Sequence, residues 1–326
     1  MKAANWLTHL EFDWRSPVWR HWVEELGSAH RLVRYDQRGC GLSDREVERI
    51  SLEAMVEDLE AVVEASGLDD FALLGISGGG PVAICYAARH PERVSHLVLY
   101  GSYARGRRKR DLTAEQREEI ELLQSLVRVG WGRSDPTFRR VFTTRFIPEA
   151  SEEQKNWFDE LQRVTASPEM AERLRAAWSE IDVTALLDEV SAPTLVAHAR
   201  EEASVPFAEG RLLATGIPDA RFLPLEGRNH ILLADEPAWP AFLSALREFI
   251  GTDALPPSPD LEELSPREHD VLELVSAGRT NEEIGERLHL SVRTVERHLS
   301  NIYAKLRVSG KAARAAAAAR FSSPRQ

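Results

Sequence analysis

A glycine-rich stretch at residues 75–80, Gly-Ile-Ser-Gly-Gly-Gly, limits the possible folds of this chain more than any other segment. An apolar run at residues 71–74 precedes it, and a helical pattern at residues 81–89 follows it. A strand, a tight turn and a helix in this order leave one side chain exposed at the apex of the turn. That side chain is Ser77.

The glycines on either side of Ser77 are required by the same turn. Strand and helix pass too closely at Gly75 and Gly79 to leave room for a Cβ atom. The turn also directs the backbone N–H of Gly78 toward any group bound beside the Ser77 hydroxyl. We therefore treat Ser77 as the first candidate for a functional residue.

Predicted strands and helices alternate around this turn. Strands are predicted at residues 31–35, 71–74, 94–100, 193–197 and 221–225, and helices at residues 52–65, 81–89 and 239–250. Strands that alternate with helices indicate a parallel sheet with helical crossovers. The predicted fold class is α/β, with a mostly parallel sheet.

The alternation is interrupted at residues 105–185, where no convincing strand pattern is found. Amphipathic helices such as residues 115–129 and 152–164 predict a helical lid over a pocket. The basic cluster at residues 107–110 is more typical of a solvated face than of a nucleic-acid patch.

Four ordered patterns within residues 1–250 resemble those of the α/β-hydrolase family. They are Asp36-x-Arg38-Gly39-x-Gly41-x-Ser43, Gly75-x-Ser77-x-Gly79, the segment at residues 88–94, and Gly227-x-x-His230. The resemblance implies a serine hydrolase triad in the chain order Ser, acid, His.

The resemblance also implies a role for individual residues. Ser77 would be the nucleophile and His230 the general base, with Glu202 as the acid and Glu201 as its near rival. The backbone N–H groups of Gly78 and Trp6 would stabilise the oxyanion. Whether Ser77 reacts or only forms the floor of a binding pocket is left open.

The family pattern begins with two strands for which residues 1–5 leave no counterpart. Either the start at Met1 is assigned too late, or an edge hairpin has been lost. With the hairpin lost, we expect an N-terminally shortened sheet of six strands, with residues 31–35 at one edge.

The last third of the sequence carries helix-start signals of its own. Ser265-Pro266-x-Glu268 and Thr280 with Glu283 form capping boxes, Gly278 ends the first helix, and Ser291 caps a third. An alanine-rich fourth helix is predicted at residues 311–320. Short helices with a tight turn between the second and third predict a helix-turn-helix.

These residues resemble the LuxR-type DNA-binding domain. The matching positions are Leu264-Ser265-x-Arg267-Glu268, Val271-Leu272, Gly278, Asn281-x-x-Ile284, Leu288, Ser291-x-x-Thr294-Val295-x-x-His298, Asn301-Ile302 and Lys305-Leu306. The resemblance implies binding of double-stranded DNA as a homodimer.

The predicted DNA contacts lie on the third helix, opposite its apolar stripe. They are Ser291, Arg293, Thr294, Glu296, Arg297 and Ser300. Arg297 can read a guanine edge and Glu296 a cytosine amine, whereas Arg293 and the two hydroxyl groups at Ser291 and Thr294 suit phosphates.

Composition and length agree with a two-domain intracellular protein. The chain has 326 residues and two cysteines, and it contains no long apolar run, so we expect a cytoplasmic protein without a membrane span. The predicted domains are residues 1–250 and 261–326, joined by a proline-rich linker at residues 251–260. No metal or cofactor is predicted.

The sequence thus predicts a transcriptional regulator whose hydrolase-like domain senses a small molecule, of ester or lactone type. The alternative is an active serine hydrolase of carboxylic esters or lactones that also binds DNA. A third interpretation is an inactive scaffold that only dimerises.

Overall fold

A computed structural model describes residues 1–251, 264–276, 279–306, 313–314 and 317. The chain divides into two compact units, Met1–Asp253 and Ala254–Gln326. Apart from Gly251, the predicted linker lies outside the described residues.

The first unit is built on a parallel sheet of four strands in the order β1-β2-β3-β4. The strands are β1 (Phe71–Ile76), β2 (Val94–Tyr100), β3 (Thr194–Ala199) and β4 (Ala220–Leu225). Ile76 pairs with Tyr100 and Tyr100 with Ala197, so the carboxyl ends of the first three strands meet at one edge. The predicted α/β class with a parallel sheet is confirmed.

Ten α-helices of the first unit are described. They are α1 (Leu10–Asp13), α2 (Arg20–Ala29), α3 (Leu52–Ser66), α4 (Gly79–Arg89), α5 (Ala114–Gly130), α6 (Thr137–Phe146), α7 (Glu152–Thr165), α8 (Pro168–Ser179), α9 (Phe207–Gly216) and α10 (Ala238–Ile250). Two 3₁₀ helices, Arg107–Lys109 and Thr184–Glu189, lie in the segment between β2 and β3.

The predicted edge strand at residues 31–35 is not formed, and the prediction of six strands was wrong. The N–H of Lys2 donates to Val33 O at 3.0 Å, and the N–H of Ala3 donates to Leu74 O at 2.9 Å. The contact to Val33 is not repeated along the segment within the described residues. A strand needs a ladder of such bonds, so residues 31–35 remain extended chain beside the sheet.

The segment between β2 and β3 is helical, as its periodicity predicts. It contains α5 to α8, and its two ends meet at an antiparallel bridge between Arg105 and Asp182. The N–H of Gly106 donates to Ile181 O at 2.7 Å, which closes the base of the segment. We call residues 105–182 the lid segment.

The second unit has three fully described helices, α11 (Pro266–Ser276), α12 (Asn281–Leu288) and α13 (Val292–Lys305). The predicted capping interactions are present at Ser265, Thr280 and Ser291. Apolar side chains of these three helices form one core. It includes Val271, Leu272, Val275, Ile284, Val295, Leu299, Ile302 and Leu306. Gly278 and most of the predicted fourth helix lie outside the described residues, although residues 313–314 and 317 are helical.

Within the described residues, no helix combines the length and the apolar character needed to cross a membrane.

Candidate active site

The turn after β1 holds Ser77 in a left-handed backbone conformation, with φ of 51°. The Ser77 N–H donates to Tyr100 O at 3.0 Å, and the N–H of Gly80 donates to Ser77 O at 3.0 Å. A Cβ on Gly75 would lie 2.7 Å from the Cα of Gly80. Few non-glycine residues adopt a positive φ, and here the surrounding hydrogen bonds fix it. The predicted strand–turn–helix geometry is therefore present.

Ser102 supports this turn, and sequence reasoning missed it. Its hydroxyl donates to Ser77 O at 2.9 Å, and a Cβ on Gly80 would overlap that hydroxyl oxygen. Ser102 is buried and lies just beyond the end of β2. A small polar residue two positions after a central strand was the available signal, but nothing in the local sequence relates it to Ser77.

Glu202 and His230 form a buried acid–base pair. His230 Nδ1 lies 3.0 Å from both Oε1 and Oε2 of Glu202. Glu202 follows β3 and His230 follows β4, so parallel pairing of these strands brings the two loops together. The N–H of Val205 donates to Glu202 Oε1 at 2.5 Å and orients the carboxylate. Glu201, the rival acid, is exposed.

Gly101 makes room for this pair. Its φ is +53°, and a Cβ there would lie 3.2 Å from His230 Nδ1 and 3.3 Å from Glu202 Oε2. These contacts are tighter than ordinary van der Waals distances, so a side chain at this position would displace the pair. Gly101 directly follows β2, where the sequence pattern of the sheet is interrupted.

His198 packs against the same carboxylate from the end of β3. Its Nε2 lies 3.0 Å from Val205 O and 3.7 Å from Glu202 Oε2. Burial lowers the pKa of the His198 imidazole, which favours its neutral form. These contacts make His198 a buried packing residue at the end of β3.

Ser77 and His230 line one cavity, together with Gly78 and Trp6. His230 Nε2 is buried and has no hydrogen-bond partner among the described residues. No hydrogen bond joins it to the Ser77 hydroxyl in this part of the chain, which is common when no substrate is bound. All three predicted triad positions thus converge at one site, with the acid–base contact formed.

The two predicted oxyanion donors are also at the site. The amides of Gly78 and Trp6 have no backbone acceptor among the described residues. Gly78 is the N-cap of α4, whose first turn carries partial positive charge. The arrangement can place two N–H donors beside a carbonyl oxygen bound next to Ser77.

The cavity is small and unusually rich in cationic side chains. Its volume is about 70 Å³, enough for a short acyl chain or similar group. Three arginines line it: Arg107, Arg110 and Arg175. Burial lowers the pKa of Arg107 to about 9 and that of Arg175 to about 10, so both are charged at neutral pH.

Sequence reasoning did not assign these arginines to the site. Arg107 and Arg110 belong to the cluster interpreted as a solvated face, but only Arg108 and Lys109 of that cluster are exposed. Arg175 lies on α8, one of the lid helices. Helical periodicity gave no signal for its position, because the crossing angle of a lid helix is not encoded in its local sequence.

A second candidate surface lies on α13 of the other unit. Arg293, Glu296, Arg297 and Ser300 are exposed, opposite the buried side of the helix. Neither arginine has an ion-pair partner among the described residues. Val292, the first residue of the same helix, is an exposed apolar side chain.

The two hydroxyl groups predicted to contact phosphates are engaged with each other. Ser291 Oγ lies 2.8 Å from Thr294 Oγ1 and accepts a hydrogen bond from the N–H of Thr294 at 3.2 Å. Ser291 is the N-cap of α13, so it fixes the start of this helix. Before it, His289 adopts φ of 54° and ends α12, which completes a short turn between the two helices.

Comparison with known families agrees with this division of the chain. Residues 14–237 match the model of the alpha/beta hydrolase fold, and residues 262–318 match the model of bacterial regulatory proteins of the luxR family. The first match contains Ser77, Glu202 and His230, and the second contains α13.

Relatives of the first unit include RutD of Azorhizobium caulinodans, provisionally named a carbamate hydrolase. It is 30% identical over 222 residues, which cover 67% of this chain and 81% of RutD. The AB hydrolase superfamily protein YisY of Bacillus subtilis is 28% identical over 211 residues, covering 61% of this chain and 74% of YisY.

Solved structures show the same fold at low sequence identity. A hydrolase from Oleispira antarctica superposes with a TM-score of 0.65 at 18% identity, covering 76% of this chain and 89% of its own. The enol-lactonase from Burkholderia xenovorans LB400 gives a TM-score of 0.61 at 20% identity, covering 77% of this chain and 90% of its own.

Proposed function

The chain belongs to the α/β-hydrolase fold family and ends in a LuxR-type helix-turn-helix domain, and from this premise we propose that it is a one-component transcriptional regulator that senses a small molecule. The LuxR-type domain supports the regulatory part of this proposal. The sensing part is supported by the cavity at Ser77, which lies under the lid segment within the same chain.

The DNA-reading role of α13 is supported by its exposed polar surface. Arg297 can donate two hydrogen bonds to the O6 and N7 atoms of guanine, and Arg293 can contact a phosphate. Substitution of Arg297 by alanine should therefore weaken binding to a selected site by about 1–3 kcal/mol and relax the preference at one base pair. Binding-site selection followed by fluorescence anisotropy tests this, and an unchanged preference contradicts the assignment.

We also propose that the protein binds DNA as a homodimer. A single small helix-turn-helix unit buries limited surface, so specific affinity requires two half-sites. Selected sequences should then be palindromic, with half-sites about one helical turn apart. Selection of a single, asymmetric half-site would contradict the dimer.

Ligand occupancy is proposed to alter DNA binding. DNase footprinting of the selected site, with and without a panel of short-chain esters and lactones, tests this directly. A ligand-dependent change in affinity or half-site spacing supports sensing. Binding that is the same across the panel contradicts it.

The Glu202–His230 pair favours a second function, hydrolysis at Ser77. In the first step, Ser77 Oγ would attack a carbonyl carbon while His230 Nε2 accepts the hydroxyl proton. The leaving alkoxide would take that proton as the carbon–oxygen bond breaks, which leaves an acyl-enzyme. Water would then attack the acyl group, with His230 again as the base, and release the acid and free Ser77.

A fluorophosphonate probe tests this second function on the full chain. We expect labelling of the native protein and none of Ser77→Ala. Ethyl esters and carbamates are the substrate classes to assay, the latter because of the name that RutD carries. Absence of both labelling and turnover would leave the cavity as a binding site only.

A further inference from the structure

We propose that the Ser77 cavity is selective for ligands that carry an oxyanion, such as a carboxylate, beside the ester or carbonyl group. The inference rests on the proposed function, since it names the class of molecule that the same cavity takes. The evidence for it is that three arginines line the cavity and that the protein itself neutralises little of their charge.

Arg175 provides the main evidence. Within the described residues its guanidinium has no hydrogen bond or ion pair, and its Nε is buried without a partner. It instead lies over two rings, 5.5 Å from the centre of Trp6 and 4.8 Å from that of Phe142. Cation–π contacts hold the side chain in place without cancelling its charge, so its N–H donors remain available to a ligand.

The internal partners of the other two arginines are mainly neutral. Arg107 donates to the backbone oxygen of Ser204 at 3.3 Å. Arg110 Nε donates to the backbone oxygen of Arg105 at 2.9 Å and lies 3.8 Å from Glu209, whose carboxylate already binds Arg105 at 2.8 Å. The cavity therefore retains net positive charge when it is empty of ligand.

Two other arginines of the lid segment have internal partners. Arg140 pairs with Asp159 at 2.7 Å and with Glu152 at 2.9 Å. Arg139 is buried and donates to three backbone oxygens. Arg175 has neither kind of partner among the described residues, and because buried charges are normally paired or hydrogen-bonded, its partner is expected to arrive from outside.

A neighbouring cavity is closer to charge balance. It has a volume of about 260 Å³ and shares Arg107, Arg110 and Ser204 with the first cavity as a common wall. Arg105 and Arg145 also line it, but Arg105 pairs with Glu209 and Arg145 with Glu119 in the same lining, which also contains Asp111. The charge that the protein leaves uncompensated is therefore concentrated at the Ser77 cavity.

Arginine is suited to this role because its planar donors match a carboxylate or a phosphate in two-point contact. Carboxylates and phosphates both present an oxyanion to the arginines. The binding experiment below distinguishes between the two. Because these arginines line the same cavity as Ser77, an anion bound to them would lie in the same cavity as the reacting carbonyl.

Binding can be measured without turnover in the Ser77→Ala protein. Trp6 and Trp178 line the cavity, so intrinsic fluorescence reports occupancy. We expect succinate to bind about 10-fold or more tightly than neutral succinamide, as charge-assisted hydrogen bonds require. Arg175→Met should abolish this difference. If inorganic phosphate binds more tightly than succinate, the proposal of an oxyanion site is retained, and the ligand class is a phosphate instead of a carboxylate.

Turnover supplies an independent measurement in the protein with Ser77. The readout is the ratio of kcat/KM for monoethyl succinate to that for diethyl succinate. Arg175→Met should lower this ratio about 10-fold, and Arg175→Lys, which keeps the charge but loses the planar donors, should lower it less. Arg108→Met is the matched control, because Arg108 is exposed and pairs with Glu121.

The outcomes separate the two proposals. Equal binding of succinate and succinamide, or a ratio unchanged by Arg175→Met, overturns the oxyanion inference. Selective succinate binding without turnover of either ester leaves the inference intact and removes the hydrolase function. Circular dichroism melts of each variant show whether a loss of binding reflects unfolding.

Discussion

At the scale of single residues, the site depends on which of two adjacent glutamates faces His230. Glu202 is buried and holds His230 Nδ1 at 3.0 Å, whereas Glu201 is exposed. In the proposed hydrolysis the imidazole would become cationic, and a negative acid beside Nδ1 would stabilise that charge.

Glu202→Gln should therefore lower kcat for ester hydrolysis by about 10²–10⁴-fold, because the amide fixes the imidazole in place but cannot offset its positive charge. Glu201→Gln is the matched control and should leave the rate within about 2-fold. Steady-state assays of the two variants on ethyl esters check this. Equal losses in both would contradict the assignment of the acid.

At the scale of elements, close packing of β1 against α4 shapes the turn at Ser77. A Cβ on Gly75 would lie 2.7 Å from Gly80 Cα and 2.9 Å from Gly79 O. Both contacts are to backbone, so a side chain cannot be accommodated by a rotamer change. The turn is thus fixed by steric exclusion as well as by hydrogen bonds.

Gly75→Ala should lower the free energy of unfolding of the first unit by about 1–3 kcal/mol, through overpacking. Gly27→Ala is the control: Gly27 lies in α2, a Cβ there would meet no atom within 4 Å, and the change should be neutral or stabilising by up to about 1 kcal/mol. Urea unfolding followed by tryptophan fluorescence measures both, since all eight tryptophans precede residue 252. Equal stability of the two variants would contradict the packing argument.

In the second unit, Glu268 links α11 to α13. Its Oε2 accepts from Lys305 Nζ at 2.7 Å and from the N–H of Ser265 at 2.8 Å. Burial acts to raise the pKa of Glu268, but the Lys305 and Ser265 donors outweigh burial and hold that pKa below its ordinary value. The folded state therefore binds this proton more weakly than the unfolded state does.

The sign of the pH dependence follows from this lowered pKa. The stabilisation is fully present above the ordinary glutamate pKa of about 4.3 and is lost as the pH falls through the folded-state value. Glu268→Gln should cost roughly 0.5–1 kcal/mol at pH 7 and almost nothing at strongly acidic pH. Hydrogen exchange of peptides from α11 and α13 measures this. A difference that does not shrink toward acidic pH would contradict it.

Much of the architecture could be predicted because it depends on local chemistry. The capping box at Thr280, the N-cap at Ser291 and the glycines around Ser77 are short-range signals, and the structure shows each in place. Residues 31–35 were predicted wrongly, because their apolar pattern suits a strand but says nothing about a pairing partner. Arg175 and Ser102 were not predicted for a similar reason, because their roles depend on packing between distant elements.

At the scale of the whole molecule, the chain joins a hydrolase-fold unit to a DNA-binding unit. Residues 14–237 match the alpha/beta hydrolase fold, and residues 262–318 match bacterial regulatory proteins of the luxR family. Sensing requires that an event in the Ser77 cavity changes the free energy of DNA binding. Such coupling is defined only by a difference in DNA affinity between the occupied and the empty states.

The most direct test is the DNA affinity of the full chain before and after reaction of Ser77 with a fluorophosphonate, which occupies the cavity covalently. Anisotropy titration with the selected duplex gives the two dissociation constants, and Ser77→Ala treated in the same way is the control. We predict a change of about 5-fold or more in the labelled protein, the usual scale of allosteric coupling, and none in Ser77→Ala. Full labelling with an unchanged dissociation constant would contradict the proposed coupling.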